Sequence, residues 1–233
     1  MKKQICLIPK LEGLGGTASF QSRFIQGLDT RLIPHTFDIN HRANSAILVV
    51  GGTRQVCRLW GAKRRGVKIV QRLNGMNWMH RVEKTPLKLF IRSEINNLIL
   101  AYIRRNLADA IVYQSEFSRN WWEHAHGNLN TPYQITYNGV DLEQYSLQAS
   151  EAPPKDHFRI LLVEGRLMGH FSRGLFTAVK LTEAIKTQYR LPIELMVVGM
   201  VNEELVAQAY AMAPNLWITW TGVIPRQSIP AYA

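Results

Sequence analysis

Residues 158–175 read FRILLVEGRLMGHFSRGL: an apolar run of strand length that passes through a glycine-punctuated turn into a stretch of helical period. The run at 158–163 delivers Glu164, Gly165 and Arg166 to the turn, and Arg173 follows near the start of a predicted helix at 173–188. This is the pattern of a βα unit, and its place in the chain decides the architecture. Immediately before it, SLQASEAPPKDH at 146–157 is polar, carries Pro153 and Pro154 and has no apolar periodicity, as a linker does. After it come a strand at 193–198 (IELMVV), a helix at 202–212 and a strand at 216–220 (LWITW). Three strands are fewer than the roughly five or six of a doubly wound sheet, so this second unit is expected to be incomplete.

The same alternation precedes the linker. Short apolar runs at 4–9, 46–50, 67–71, 110–114 and 134–137 read as strands, and 16–28, 54–65 and 85–106 read as helices between them. In the last of these Leu87, Ile91, Ile95, Leu98 and Tyr102 recur every three or four residues, a stripe expected to face the core. Thr85 is the expected N-cap, with Pro86 at the first helical position. The expected fold class is therefore α/β: an N-terminal Rossmann-like domain over 1–148, a linker over 149–157 and a partial second Rossmann-like domain over 158–233.

With 46% hydrophobic residues the chain can bury a substantial core, and no run of about 18 apolar residues is present to cross a bilayer. The opening MKKQICLIPKLEG is interrupted by Pro9, Lys10 and Glu12 before a signal-peptide core could form, and reads as a first strand. Cys6 and Cys57 suit a reduced intracellular setting, and neither has metal-ligand spacing. The formal net charge of +11 is uneven: residues 1–150 hold 20 Lys+Arg against 10 Asp+Glu, and 151–233 hold 8 against 7. Such an excess favours nucleic acid, an acidic lipid surface or a phosphorylated substrate; a merely soluble basic surface accounts for it equally.

Two turns could carry chemistry. Gly13, Gly15 and Gly16 stand where the first βα turn should be, leaving amide N–H groups at a helix N-terminus to face an anion. Their spacing is not the dinucleotide fingerprint, and a tight structural turn is an equal reading. In the second unit, Arg166 and Arg173 beside a helix N-terminus would suit a diphosphate through charge-assisted hydrogen bonds, the alternative being a solvated loop with incidental arginines. Other patterns are weaker. His124 and His126 lack a third metal ligand, QSEFSRNWW at 114–122 lacks the elbow of an esterase nucleophile, and no Walker loop occurs. Arg104 and Arg105, like Lys63, Arg64 and Arg65, sit late in predicted helices and complement the dipole. Aromatic residues do not interleave with these clusters as in a nucleic-acid surface.

In order, LGGTASF at 14–20, IVYQSEFSR at 111–119, YNGVDLEQY at 137–145, LLVEGRL at 161–167 with RGL at 173–175, ELMVVG at 194–199 and WTGVIPRQSIPAYA at 220–233 resemble family 4 of the retaining glycosyltransferases. The resemblance extends over nearly the whole chain, with YNGVD and VEGRL its most specific parts. It implies a GT-B fold of two Rossmann-like domains, acceptor mainly on the first and nucleotide-sugar donor mainly on the second, and transfer with retention and without a metal. By the resemblance, Gly15 and Gly16 match the loop that approaches the donor phosphates. Gly165 and Arg166 match the motif whose arginine contacts the diphosphate. Arg173 stands where the family has a lysine, so a second cation is present with a different shape. Asn138, Gly139, Val140 and Asp141 match the loop that ends the first domain beside the cleft.

Two departures follow from the same comparison. Where many members place a histidine near the reacting sugar, this chain has Asn74 and Gly75; an amide can hydrogen-bond a hydroxyl but cannot carry a proton as imidazole does. The family's pair of glutamates and its nucleotide-base site belong to a part of the second domain that would follow residue 233. The carboxyl-terminal part of such an enzyme is thus expected to be missing. The implied site has Gly15, Gly16, Gly165, Arg166 and Arg173 on the donor and Asn74, Asn138 and Gly139 toward the acceptor, with no catalytic residue assigned, no metal and no cofactor beyond the nucleotide sugar as co-substrate. The expected partners are that donor and a glycan, lipid-linked or phosphorylated acceptor, in the cytoplasm with peripheral membrane association and without nucleic acid. The competing reading is a non-catalytic glycosyltransferase-like module that binds an anionic partner. A third, a basic nucleic-acid binder, would show steep salt dependence.

Overall fold

Aliphatic runs buried on both faces pair as parallel strands, because each crossover helix covers one face and brings the chain back to the same starting edge. The computed structural model describes residues 3–13, 15–143, 145 and 154–232; of the linker expected at 149–157, residues 149–153 lie outside these. The chain divides into two compact units, Met1–Asn138 and Gly139–Ala233.

The first unit runs β1 (Gln4–Ile8), α1 (Gly16–Thr30), β2 (His35–Thr36), β3 (Asn44–Val50), α2 (Val56–Arg64), β4 (Lys68–Leu73), α3 (Met79–Val82), α4 (Leu87–Tyr102), a π-helical turn Ile103–Leu107, β5 (Ala110–Tyr113), α5 (Glu116–His126) and β6 (Tyr133–Ile135). Its six parallel strands lie in the order β2-β1-β3-β4-β5-β6, so the order reverses at β1. Alternate residues of β1 and β3 divide between two cores. Cys6, Ile8, Ile47 and Val49 pack with Leu59, Ile69, Ile103 and Leu107, whereas Leu7, Leu48 and Val50 pack with Leu28 and the half-buried Phe20 and Phe24. Burial, with the charge of Asp38, pushes the Cys6 thiol up to about 12, while Cys57 is exposed.

Helix α5 was not marked by apolar period. Ser115 caps it, accepting from the Ser118 amide at 3.1 Å, and Trp122 is its fully buried anchor. Helix α4 forms where expected but turns the other way. Leu87 is 73% exposed and Leu98 61%, and Ile91, Ile95 and Tyr102 are exposed too, so the stripe expected in the core faces outward. The reason is a second, narrower face. Ile99, Leu100 and Ala101 pack against the cores, and buried Asn97 locks onto the loop after β4, accepting from the Asn77 amide at 3.2 Å and donating to its carbonyl at 2.7 Å. Thr85 is not the cap either; Pro86 occupies that position, and the Thr85 hydroxyl donates to the Glu83 carbonyl at 3.2 Å. Arg104, expected as a dipole complement, is buried and donates to the Tyr113 hydroxyl at 2.9 Å and the Gly127 carbonyl at 3.0 Å, whereas Arg105 stays exposed. Among the described residues no helix is long and apolar enough to cross a membrane.

The second unit runs β7 (Phe158–Arg166), a 3-10 turn Gly169–Phe171, α6 (Ser172–Tyr189), β8 (Ile193–Met200), α7 (Glu203–Met212), β9 (Trp217–Gly222) and a 3-10 segment Arg226–Ala231. The three strands are parallel in the order β7-β8-β9. Leu175, Val179, Leu195, Val197, Ala209, Leu216 and Ile218 make its core. Across the amino ends of these strands lies a buried ion cluster. Glu194 on β8 accepts from Arg159 Nε at 2.6 Å, Thr219 Oγ1 at 2.5 Å and His157 Nε2 at 3.2 Å.

Burial alone would push the Glu194 carboxyl up, but donation from Thr219, Arg159 and His157 outweighs it and holds the group below its ordinary value. The carboxylate therefore contributes stability that is complete above the unfolded carboxylate value, about 4.3, and is lost as pH falls through the lowered folded value. Thermal melts followed by circular dichroism should show Glu194→Gln lowering Tm at pH 7 by several degrees. The same variant should show a smaller further drop than the parent chain when the pH is taken to 3.

Candidate functional site

At the carboxyl edge of the first sheet the loop after β1 is held by one side chain. Buried Gln21 of α1 accepts from the Leu11 amide and donates to the Pro9 carbonyl, both at 2.8 Å. Gly13 has φ +108, a conformation that favours glycine. Gly15 does not share that requirement. It caps α1 with φ −74 and ψ 161, ordinary extended backbone, and a Cβ placed on Gly15 or Gly16 would meet open space. Neither strain nor packing therefore demands glycine at these two positions. In front of them α1 begins without a side-chain cap and without an acidic residue in its first turn, so its N–H groups meet no carboxylate of their own helix.

The centre of this edge is a residue that strand reading passed over. Arg72, the penultimate residue of β4, is only 3% exposed. Its Nη1 donates to Asn74 Oδ1 at 2.9 Å and its Nη2 to Asn138 Oδ1 at 2.7 Å. The guanidinium carbon lies 3.7 Å from the ring centroid of Phe20 on α1, a cation–π contact. The Gln114 amide, just past β5, lies against the same group, 2.5 Å from Asn74 Oδ1. These partners are amide oxygens and an aromatic face, and desolvation brings the guanidinium down to about 10 while leaving it charged at neutral pH. Asn74 is fixed from behind as well, since the buried Trp122 donates Nε1 to its carbonyl at 2.7 Å.

Arg72 thus brings together Asn74 and Asn138, which are 64 positions apart in the chain, and Gly139 follows directly. The acceptor oxygen of Asn74 is engaged by Arg72, so this side chain serves first to hold its loop. The signal for Arg72 was present in the sequence. A guanidinium near the end of a strand buried on both faces has no solvated place to go and must be satisfied by neighbouring loops. Beyond Asn74, buried His80 contacts Glu94 Oε1 through Nε2 at 2.6 Å, and Arg81 grips both Glu94 oxygens at 2.6 and 2.7 Å. The hydrogen bonds from Arg81, then His80, hold the Glu94 carboxyl down to about 2. This cluster ties α3 to α4 and so supports the loop that carries Asn74.

In the second unit the edge is shaped by a register shift in β7 between Val163 and Arg166. Glu164 and Gly165 occupy the bulge, where the Gly165 amide donates to Glu164 Oε1 at 3.0 Å. Opposite them Gly199 has φ +146, and a Cβ there would collide with the Glu164 carbonyl oxygen. This glycine lets β8 pass close to the bulge; the stretch ELMVVG had included it without giving it a role. Arg166 resumes pairing opposite Met200 with its side chain exposed, and Arg173 lies exposed in the first turn of α6. That helix, too, starts without a side-chain cap or an acidic first-turn residue. Arg166 and Arg173 therefore belong to one strand end and the helix start that follows it. Gly15, Gly16, Asn74 and Asn138 belong to the corresponding edge of the first unit.

No family model and no curated protein sequence matches the chain. Solved structures do. The sucrose-phosphate synthase of Thermosynechococcus elongatus matches with a TM-score of 0.54 and 13% identity over 95% of this chain and 55% of that one. The Escherichia coli trehalose-6-phosphate structure bound with UDP-2-fluoro glucose matches at 0.52 and 12%, over 92% of this chain and 54% of that one. A mutant of Staphylococcus aureus TarM in complex with fondaparinux, alpha-GlcNAc-glycerol and UDP matches at 0.52 and 11%, over 88% and 36%. What they share with this chain is the GT-B architecture, and the chain spans about half the length of the first two.

Replacing Arg72 by lysine keeps a charge but cannot bridge two loops in the same plane. Arg72→Lys should cost about 1–3 kcal/mol through the acceptors it leaves unsatisfied. Hydrogen exchange measured on the same variant should rise at 74–78 and 136–139 and stay unchanged in β7–β9.

Proposed function

We propose that the chain belongs to a nucleotide-sugar-dependent glycosyltransferase of the retaining family 4 type. It would supply the acceptor-side domain over 1–148 and, after a linker at 149–157, the first part of the donor domain over 158–233. The observation that carries this reading is the placement of Arg166 at the end of β7 and Arg173 in the first turn of α6. The chemistry fits that placement. As the bond between the sugar's anomeric carbon and the donor diphosphate breaks, negative charge grows on the departing phosphate oxygen. Guanidinium groups and N–H groups at a helix N-terminus can stabilise such charge more in the transition state than in the ground state. The sugar is delivered to an acceptor oxygen, whose proton is released. Two of the structures with this fold are described with UDP or a UDP sugar, which supports a nucleotide-sugar donor here.

In the first unit, Gly15 and Gly16 leave open space before the α1 N-terminus, as a loop approaching donor phosphates needs. Asn74, Asn138 and Gly139 belong to the acceptor side, where the Arg72 clamp sets their loops and acts as a positioning residue. The acceptor is a glycan, a lipid-linked or a phosphorylated molecule, and the reaction proceeds with retention, with no metal and no cofactor beyond the donor. The enzyme would work in the cytoplasm, at the membrane surface.

The test is transfer of a radiolabelled sugar in the protein carrying its whole donor domain. Arg166→Ala should lower the rate about 10²–10³-fold, the scale of one donor to a developing anion. Arg173→Ala should lower it by less, because its place is a turn further from the strand end. Near-normal transfer by Arg166→Ala would overturn the assignment. The 233-residue chain alone is expected to transfer little or no sugar, and robust turnover by it would contradict the division of the donor site proposed here.

A further inference from the structure

Between residues 54 and 106 the chain holds 13 Lys+Arg and 2 Asp+Glu, so under a quarter of its length accounts for the whole formal net charge of +11. The same segment carries the outward apolar stripe of α4: Leu87, Ile91, Ile95, Leu98 and Tyr102, all exposed over a helix of 16 residues, about 24 Å long. Lys88 and Arg92 are exposed along one flank of the stripe, and Arg105 is exposed just beyond its end. At that end exposed Trp60 of α2 donates Nε1 to the Tyr102 hydroxyl at 2.9 Å, and the Arg64 guanidinium lies 5.7 Å from the Trp60 ring. An open, mostly apolar groove of about 620 Å³ continues the surface, sharing Ile95, Leu98 and Tyr102 and bordered by Arg105. Of the two carboxylates in the segment, Glu94 is taken up by Arg81 and His80.

We propose that this face of α4 docks in the plane of an anionic lipid bilayer, with the aliphatic stripe in the acyl boundary and Arg64, Lys88, Arg92 and Arg105 among the headgroups. An apolar helix face with cationic flanks and a Trp–Tyr pair at its rim is the pattern that lies in the interface rather than across it. Charge decides the occupant. A second copy docking symmetrically through this face would set two such cationic flanks against each other, an arrangement that costs free energy. Nucleic acid would satisfy the cations but leave the aliphatic stripe without a partner. An anionic bilayer satisfies both. The inference does not depend on the reaction proposed above, since it rests on α2, α4 and Arg105 just beyond it.

Co-sedimentation of the 233-residue chain with vesicles of phosphatidylcholine, with and without phosphatidylglycerol, tests it. Binding is expected only to the vesicles containing phosphatidylglycerol and should weaken as salt is raised. Lys88→Ser with Arg92→Ser should lower the partition coefficient about thirtyfold, two cations each contributing roughly 1 kcal/mol near an anionic surface. Ile91→Ser with Leu98→Ser should lower it about tenfold or more by removing inserted aliphatic surface. These side chains are exposed, so melting curves should match the parent's; if the aliphatic pair shifts them, the charge pair decides. Failure of the parent chain to bind, equal binding to both vesicle types, or unchanged binding by the charge pair would overturn the proposal. So would self-association in vesicle-free solution that the aliphatic substitutions abolish, since that would identify a second copy as the occupant.

Discussion

Parallel strand pairing constrains everything else in this protein. Because each crossover helix returns the chain to the same starting edge, every strand ends at the opposite edge, and the segments that follow the strands collect there whatever their distance in sequence. In the first unit that edge gathers the glycine loop after β1, Asn74 after β4, Gln114 after β5 and Asn138 after β6. In the second it sets Arg166 at the end of β7 beside the start of α6. The order of the first sheet reverses at β1, so the glycine loop also stands at a switch point, where the connections on the two sides diverge and leave a crevice.

At such an edge a buried cation is an economical clamp. Amide oxygens can be supplied by loops of any origin, and a planar guanidinium holds two of them in fixed geometry, which neither a hydrophobic contact nor a lysine does. Arg72 uses this by accepting a desolvated position between Asn74, Asn138 and the Phe20 ring. The cost of desolvation appears in its lowered pKa. Elsewhere the chain solves the same problem with ion clusters: Glu194 gathers Arg159, His157 and Thr219, and Glu94 gathers Arg81 and His80. In the second unit the equivalent precision comes from an absence of side chain. Gly199 allows β8 to run against the bulge that turns Arg166 to its place.

Helix α4 shows how a single element can serve two surfaces. Its Asn97, Ile99, Leu100 and Ala101 attach it to the fold, and this leaves a full aliphatic stripe facing water among cations. The charge excess of the chain and its exposed apolar surface thus coincide in space, a coincidence that composition alone could not reveal.

Apolar period, strand length and turn residues were enough to locate thirteen of the elements to within a few residues, from β1 at Gln4–Ile8 to β9 at Trp217–Gly222, because these depend on local chemistry repeated along the chain. The same reading marked Gly15, Gly16, Asn74, Asn138, Gly165, Arg166 and Arg173 as candidates. It could not see α5, whose cap and single buried tryptophan replace a stripe, nor the outward turn of α4, whose period fits either face. Nor could it see that Asn74 and Asn138 share Arg72, or that Gly199 answers to Glu164. Those facts are pairings between residues tens of positions apart, and only the closing of each sheet brings them within reach. Local periodicity specifies which segments become strands and helices; which side is buried, and which distant oxygens a buried cation must find, is decided by the packing that leaves no other partner.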